Sequence, residues 1–237
     1  MMAIFLDFVP GTQYNIYQDR SKFSYGTDAL LLSAFAKGEG KVIDLGTGTG
    51  IIPIRMINSP KVKEIVGVEI QSEIADMAIK SIKANNLDDR IDIVNEDIEK
   101  LVEIYGKHTF DTVITNPPYY EQGNMQNTDS NHRLSRHEGH LDLNSWIEIA
   151  SKLLKYKGKF YMVQKPSRLV DIFYSMRNNK IEPKRILFVR HSESSRRTMV
   201  LIEGIKDGKP ELIIEEDLVL FNGDTRTKQY ENYYFLK

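Results

Sequence analysis

The sequence of 237 residues contains no cysteine. Disulfides, thiolate zinc sites and cysteine nucleophiles are thereby excluded, and the composition suits a reducing interior. Neither sign of charge dominates: 32 Lys and Arg stand against 33 Asp and Glu, for a net charge of -1. Any binding of nucleic acid must therefore rest on local charge. No stretch approaches the ~20 apolar residues of a transmembrane helix. Met1 to Asp7 lack the basic start and long apolar segment of a secretory signal. A cytoplasmic location with no membrane partner is expected. There is no internal repeat, low-complexity tract or second-domain boundary, so residues 1–237 are expected to form a single domain with a small N-terminal extension at 1–37. The 41% of hydrophobic residues is enough for a sizeable core.

From Lys41 onward, strand and helix patterns alternate. Lys41 to Leu45, Glu64 to Ile70, Ile91 to Asn95, Phe110 to Ile114 and Gly158 to Val163 read as strands. The segments between carry apolar residues at helical spacing. This alternation predicts a mostly parallel, doubly wound α/β sheet. Residues 4–9 and Tyr14 to Gln18 predict a short hairpin, and Thr27 or Asp28 can cap the helix that follows. Arg185 to Arg190 and Thr198 to Glu203 read as an antiparallel edge. Residues 212–214 and 218–221 read as a further hairpin. The tail, with Tyr230, Tyr233, Tyr234 and Phe235, is too apolar to hang free and is expected to dock.

The chain is organised around Thr115-Asn116-Pro117-Pro118-Tyr119-Tyr120. The apolar run before it reads as a strand buried on both faces. Two prolines then end the pairing, because neither has an N–H to donate. A polar amide, a rigid backbone and an aromatic ring thus sit where a central strand leaves its sheet, the edge at which open α/β sheets bind ligands. The bland alternative is a Pro-Pro turn with Tyr119 in the core. Residues 121–131 hold one apolar side chain and suit a lid or substrate-contact loop.

A second motif, Asp44-Leu45-Gly46-Thr47-Gly48-Thr49-Gly50, follows a strand and opens a helix. A dinucleotide fold uses G-x-G-x-x-G/A there, with an acid at the second strand end. Glu69 is suitably placed, but the third position of that fingerprint falls on Ile51. The loop G-x-G-x-G, preceded by Asp44, resembles instead the first motif of class I S-adenosylmethionine (SAM) methyltransferases. Glu69, Asp97 and Asn116 each lie just past a successive strand, as that resemblance requires. It implies a Rossmann-like class I methyltransferase fold, a seven-stranded mostly parallel sheet with an antiparallel C-terminal edge. Its cofactor is SAM, its product S-adenosylhomocysteine, and no metal takes part. Gly46, Thr47, Gly48 and Gly50 would approach the methionine part, and Glu69 would accept from the ribose hydroxyls. Asp97 and the Ile98 N–H would meet the adenine, and Asp44 would orient the loop or a water near the ammonium. Thr27 opens a helix whose N-terminus can face an anion. Asp97 has a plainer alternative role, as a helix N-cap.

Asn116-Pro117-Pro118-Tyr119 resembles the [Asn/Asp/Ser]-Pro-Pro-[Tyr/Phe/Trp] motif of amino-group methyltransferases. The Asn116 side-chain oxygen and Pro117 carbonyl can accept the two N–H bonds of an exocyclic amine, and Tyr119 can stack on its base. The motif alone leaves open adenine in RNA or DNA, guanine N2 in ribosomal RNA, and the glutamine amide of release factors. Gln18 to Leu32, with Phe23-Ser24-Tyr25-Gly26-Thr27-Asp28 at its centre, resembles the start of the bacterial valine-tRNA adenine-N6 methyltransferase family. Arg136-His137-Glu138 is similar to that family too. The resemblance implies methylation of the adenosine just 3′ of the anticodon, with tRNA as partner and a monomer sufficient.

Local charge agrees with an RNA partner. Between Lys165 and Arg197 nine Lys and Arg face three acids. Lys22, Arg133, Arg136, His137, Lys165, Arg196 and Arg197 are the candidate RNA contacts, with an ordinary solvated face as the alternative. His132, His137 and His140 lack a carboxylate at helix spacing and do not read as a metal site. A SAM-binding protein without catalysis and a nicotinamide dehydrogenase are the competing classes.

Overall fold

The computed structural model describes residues 4–19, 24–118 and 141–236. Strands β1 (Ile4–Phe8) and β2 (Asn15–Asp19) form the expected antiparallel hairpin. Helix α1 (Thr27–Phe35) follows. Then come β3 (Gly40–Leu45), α2 (Ile51–Met56), β4 (Val62–Glu69), α3 (Ser72–Ala84) and β5 (Ile91–Asn95). A 3-10 turn at Ile98–Lys100 leads into α4 (Leu101–Tyr105) and β6 (Phe110–Thr115). After residue 141 the chain continues through α5 (Leu143–Leu153), β7 (Leu154–Gln164), α6 (Leu169–Asn178), β8 (Ile181–Arg190) and β9 (Arg197–Lys206). Short strands β10 (Ile213–Ile214), β11 (Leu218–Val219), β12 (Phe221–Asn222) and β13 (Thr225–Arg226) precede α7 (Lys228–Phe235).

Seven long strands lie in the order β5-β4-β3-β6-β7-β9-β8. Every pairing from β5 to β7 is parallel, and β9 runs antiparallel to both neighbours. The expected sheet is thus present, with the reversed strand inserted between β7 and β8. The hairpin expected at 212–221 is not formed. Residues 213–214 and 218–219 instead pair in parallel with β8, opposite Arg185–Ile186 and Val189–Arg190. Two short apolar runs satisfy their backbone as readily on an existing edge as on each other, and pairing there covers the open side of β8.

Successive strand residues feed opposite faces, as the two-residue period demands. Val42, Ile114, Tyr161 and Val163 pack with α1, α2 and α7 on one face. Ile43, Val113, Phe160 and Met162 pack with α4, α5 and α6 on the other. The cap expected at Thr27 or Asp28 is displaced: Gly26 is the N-cap and makes no side-chain cap bond. Gln71 occupies the N-cap of α3.

The tail docks through one side chain. Arg55, on α2, is 2% exposed. Its guanidinium donates to the carbonyls of Pro10, Tyr233 and Tyr234 and to the Ser33 hydroxyl. A single buried cation thereby ties the N-terminal turn, α1 and α7 to the helix that follows the glycine loop.

Candidate active site

Parallel strands end together, so their C-terminal residues share one edge. Leu45 is in register with Val68 and Thr115, Glu69 with Asn95, and Thr115 with Met162. The two motifs singled out in the sequence therefore leave adjacent central strands side by side. Gly46 and Thr47 both donate their N–H to the Val68 carbonyl at 2.9 Å, which leans the loop over β4. Gly46 and Gly48 have φ of 72° and 58°, a conformation that costs other residues dearly. A Cβ on Gly46 would also stand 3.0 Å from the tip of the Trp146 indole on α5.

Glu69 is buried and holds the loop. Its Oε2 accepts from Gly48 N–H at 3.0 Å, and its Oε1 accepts from Gln71 N–H at 2.9 Å. Asn95 braces the same turn, its Nδ2 donating to the Glu69 and Ile70 carbonyls. A pocket lined by Gln71, Ser72, Glu73 and Ile74 opens just past Glu69. Asp97 plays the plainer role foreseen for it: its carboxylate accepts from Glu99 N–H at 2.9 Å and caps the 3-10 turn that starts at Ile98.

Asp44 is fully buried, and neither carboxylate oxygen has a hydrogen-bond partner. Burial above all, with the nearby Glu69 charge, pushes its carboxyl up to about 7, against a smaller opposing pull from the Thr47 hydroxyl. The Thr47 and Thr49 hydroxyls are also buried without a hydrogen-bond partner. Three unsatisfied side chains at one loop are costly, and such clusters mark places where a ligand completes the bonding.

Asn116 is half-buried, Pro117 buried and Pro118 exposed, directly beyond β6. Thr27 opens α1 and is half-buried. Lys165 follows β7 at the edge where β3 and β6 also end. Arg196 is exposed in the turn after β8, which runs parallel to β7 and so ends at the same edge. Arg197 is held by Asp217 at 3.0 Å, a carboxylate it shares with Arg190, and lies 4.1 Å from the Phe188 ring. Lys22, Tyr119, Arg133, Arg136, His137 and Glu138, the histidines 132 and 140, and the loop 121–131 lie outside the described residues. Among the described residues no group of three His, Asp or Glu could hold a metal ion, and no helix is long and apolar enough to cross a membrane.

Two contacts escape a linear reading. One is Trp146 against Gly46; no spacing rule relates an indole on α5 to a loop 100 residues earlier. The other is Gly67 inside β4, where a Cβ would stand 2.9 Å from the Thr47 hydroxyl. The glycine interrupting Val66 and Val68 was the available signal.

This strand order and this glycine corner define the class I methyltransferase architecture. A predicted O-methyltransferase of Agrobacterium tumefaciens superimposes with a TM-score of 0.70 at 19% identity, over 87% of this chain and 95% of that one. A 16S rRNA N2 G1207 methyltransferase of T. thermophilus, in complex with AdoMet and guanosine, does so at 0.57 and 18%, over 87% and 51%. Residues 13–171 match the methyltransferase small domain. A tRNA1(Val) (adenine(37)-N6)-methyltransferase of Tolumonas auensis is 30% identical over 73% of this chain and 76% of its own. A relative of the same name from Porphyromonas gingivalis is 30% identical over 78% and 76%. The chain belongs to the methyltransferase small domain family, together with these tRNA1(Val) (adenine(37)-N6)-methyltransferases.

Proposed function

We propose that this chain transfers the methyl group of SAM to the exocyclic N6 of adenosine 37 in valine tRNA, the residue 3′ of the anticodon. The observation that carries this reading is the position of Asn116 beside the glycine loop in a chain whose relatives bear that name. Bound there, SAM supplies an electrophilic methyl group. The residues fit it: Asp44 is a buried carboxylate in need of a cation, and the loop backbone has no side chains in the way at its glycines. Each Glu69 oxygen already accepts one N–H and keeps a lone pair for a ribose hydroxyl.

The chain's own part in the chemistry is orientation. Adenine N6 is a poor nucleophile because its lone pair is delocalised into the ring. The Asn116 oxygen and Pro117 carbonyl accept its two N–H bonds and favour a pyramidal nitrogen whose lone pair points away from both. Preorganised groups of this kind contribute ~2–4 kcal/mol each. Pro118 holds the Pro117 carbonyl in direction. Tyr119 stacks on the base, worth ~1–3 kcal/mol. No prior deprotonation is needed, because the proton becomes acidic only after transfer. Lys165 and Arg196 meet the phosphates of an unpaired loop. The whole chain acts as one methyltransferase domain, extended at residues 1–37; it works in the cytoplasm, and a monomer is sufficient for the reaction.

The test is transfer of tritiated methyl from SAM to total tRNA, release factor, ribosomal subunits and DNA in parallel, followed by nucleoside analysis. N6-methyladenosine in valine tRNA is expected. Label in glutamine or guanine would overturn the assignment.

A further inference from the structure

The strands that carry the two motifs, β3 and β6, are tied together by two threonines of β6. Thr115 Oγ1 donates to the Leu45 carbonyl at 3.0 Å. Thr112 Oγ1, at the opposite end of the strand, donates to the Glu39 carbonyl and accepts from Glu39 N–H, both at 3.1 Å. Both side chains have 0% exposure. Both are buried hydroxyls bonded to backbone on the β3 side, Thr115 by one bond to the last residue of β3 and Thr112 by two to Glu39, the residue just before that strand. They differ in where they sit.

Leu45 immediately precedes Gly46, and Thr115 immediately precedes Asn116. The register of β3 with β6 ends at the pair Leu45 and Thr115. Beyond it the strands part: Gly46 and Thr47 turn toward Val68 on the other side, and Pro117 offers no N–H. The Thr115 hydroxyl thus closes the last rung before the chain divides into a donor-binding loop and an acceptor-binding corner. Reaction rates are steep in the separation of donor and acceptor, with ~1 Å of misplacement costing ~10²-fold.

We infer that Thr115 is a positioning residue for methyl transfer: its bond to the Leu45 carbonyl sets the distance between the glycine loop and the Asn116 corner. Thr112 makes its two bonds at the far edge, to Glu39, and serves stability alone. This inference rests on the assignment of Asn116 to the acceptor amine, so the experiment includes Asn116→Ala.

Thr115→Val, Thr115→Ser and Thr112→Val are compared for Tm, SAM affinity, KM for tRNA and kcat. Thr115→Val is expected to lower kcat about tenfold or more, with SAM Kd and the KM for tRNA within about twofold of the parent. Thr115→Ser, which keeps the hydroxyl, restores most of the loss. Thr112→Val, which removes two bonds, lowers Tm at least as much yet keeps kcat within about twofold. If Thr115→Val does not fold, Thr115→Ala is read in the same way. A kcat for the hydroxyl-deleted protein within twofold of the parent overturns the inference. So does an equal kcat loss in Thr112→Val, or a Ser variant as slow as the Val variant. Full activity of Asn116→Ala would instead sink the acceptor assignment, whatever the threonine variants do.

Discussion

Glu69 Oε2 accepts the Gly48 N–H at 3.0 Å, so the acid at the end of β4 holds open the loop at the end of β3. In the proposed function the same carboxylate also meets the ribose. Glu69→Ala is expected to weaken SAM binding by about tenfold or more, since a charge-assisted hydrogen bond contributes ~1.5–3 kcal/mol. Isothermal titration calorimetry checks this, and unchanged affinity would remove Glu69 from the cofactor site.

Asn116→Ala should bind SAM as the parent does and lose turnover by roughly 10²-fold or more, the scale for deleting one preorganised polar group. The split between an intact Kd and a lost kcat is the signature. A fall in SAM affinity without loss of kcat would place Asn116 on the cofactor.

Asp44 makes the ligand-free fold sensitive to pH. Its folded carboxyl titrates at about 7 against an ordinary value of 3.8, so across that window the folded state keeps a proton that the unfolded chain has released. Stability therefore declines as pH rises toward 7, with a limiting slope of ~1.4 kcal/mol per pH unit, and levels off above it. Asp44→Asn abolishes this dependence: its Tm, relative to the parent, should climb between pH 5 and pH 8. A cation seated on the carboxylate acts in the opposite sense. SAM should bind the parent more tightly at pH 8 than at pH 5, with proton release seen in calorimetry across buffers of different ionisation enthalpy. A parent-to-variant difference in Tm that stays flat with pH would show that Asp44 is ionised throughout.

Trp146 is the only tryptophan, and its indole abuts Gly46. Its fluorescence should report loop occupancy directly. Addition of SAM is expected to change the emission, and Trp146→Phe to abolish the signal. No change in the parent at saturating SAM would mean that the loop does not respond to the ligand.

Arg55 keeps its charge at neutral pH although burial pulls its pKa down to about 10. Arg55→Leu strips three backbone carbonyls of a donor, at ~1–3 kcal/mol for each group left unsatisfied. The expected outcome is a lower Tm together with faster proteolysis of the segment around α7. Equal proteolysis rates would show that the tail docks through its aromatic rings alone.

Much of this molecule is legible in the linear chain. The strands β3 to β6 and their helices follow from apolar period and from Gly and Pro placement, because a buried parallel strand leaves a continuous β-branched run. The two motifs are local as well: three glycines license a loop conformation, and two prolines forbid further pairing. The fate of 212–221 was not legible, since a pair of short apolar runs carries no signal for which edge it will join.

The sequence by itself determined the kind of chemistry, because that chemistry needs particular residue types at the ends of particular strands. Tertiary structure alone decided how those ends are held. Register between β3 and β6 brings Thr115 to Leu45, packing of α5 brings Trp146 to Gly46, and the tail's return brings Tyr233 and Tyr234 to Arg55. Each contact joins residues 70 or more positions apart. Such pairs are selected by the energy of the assembled sheet and core, to which no local run of residues has access.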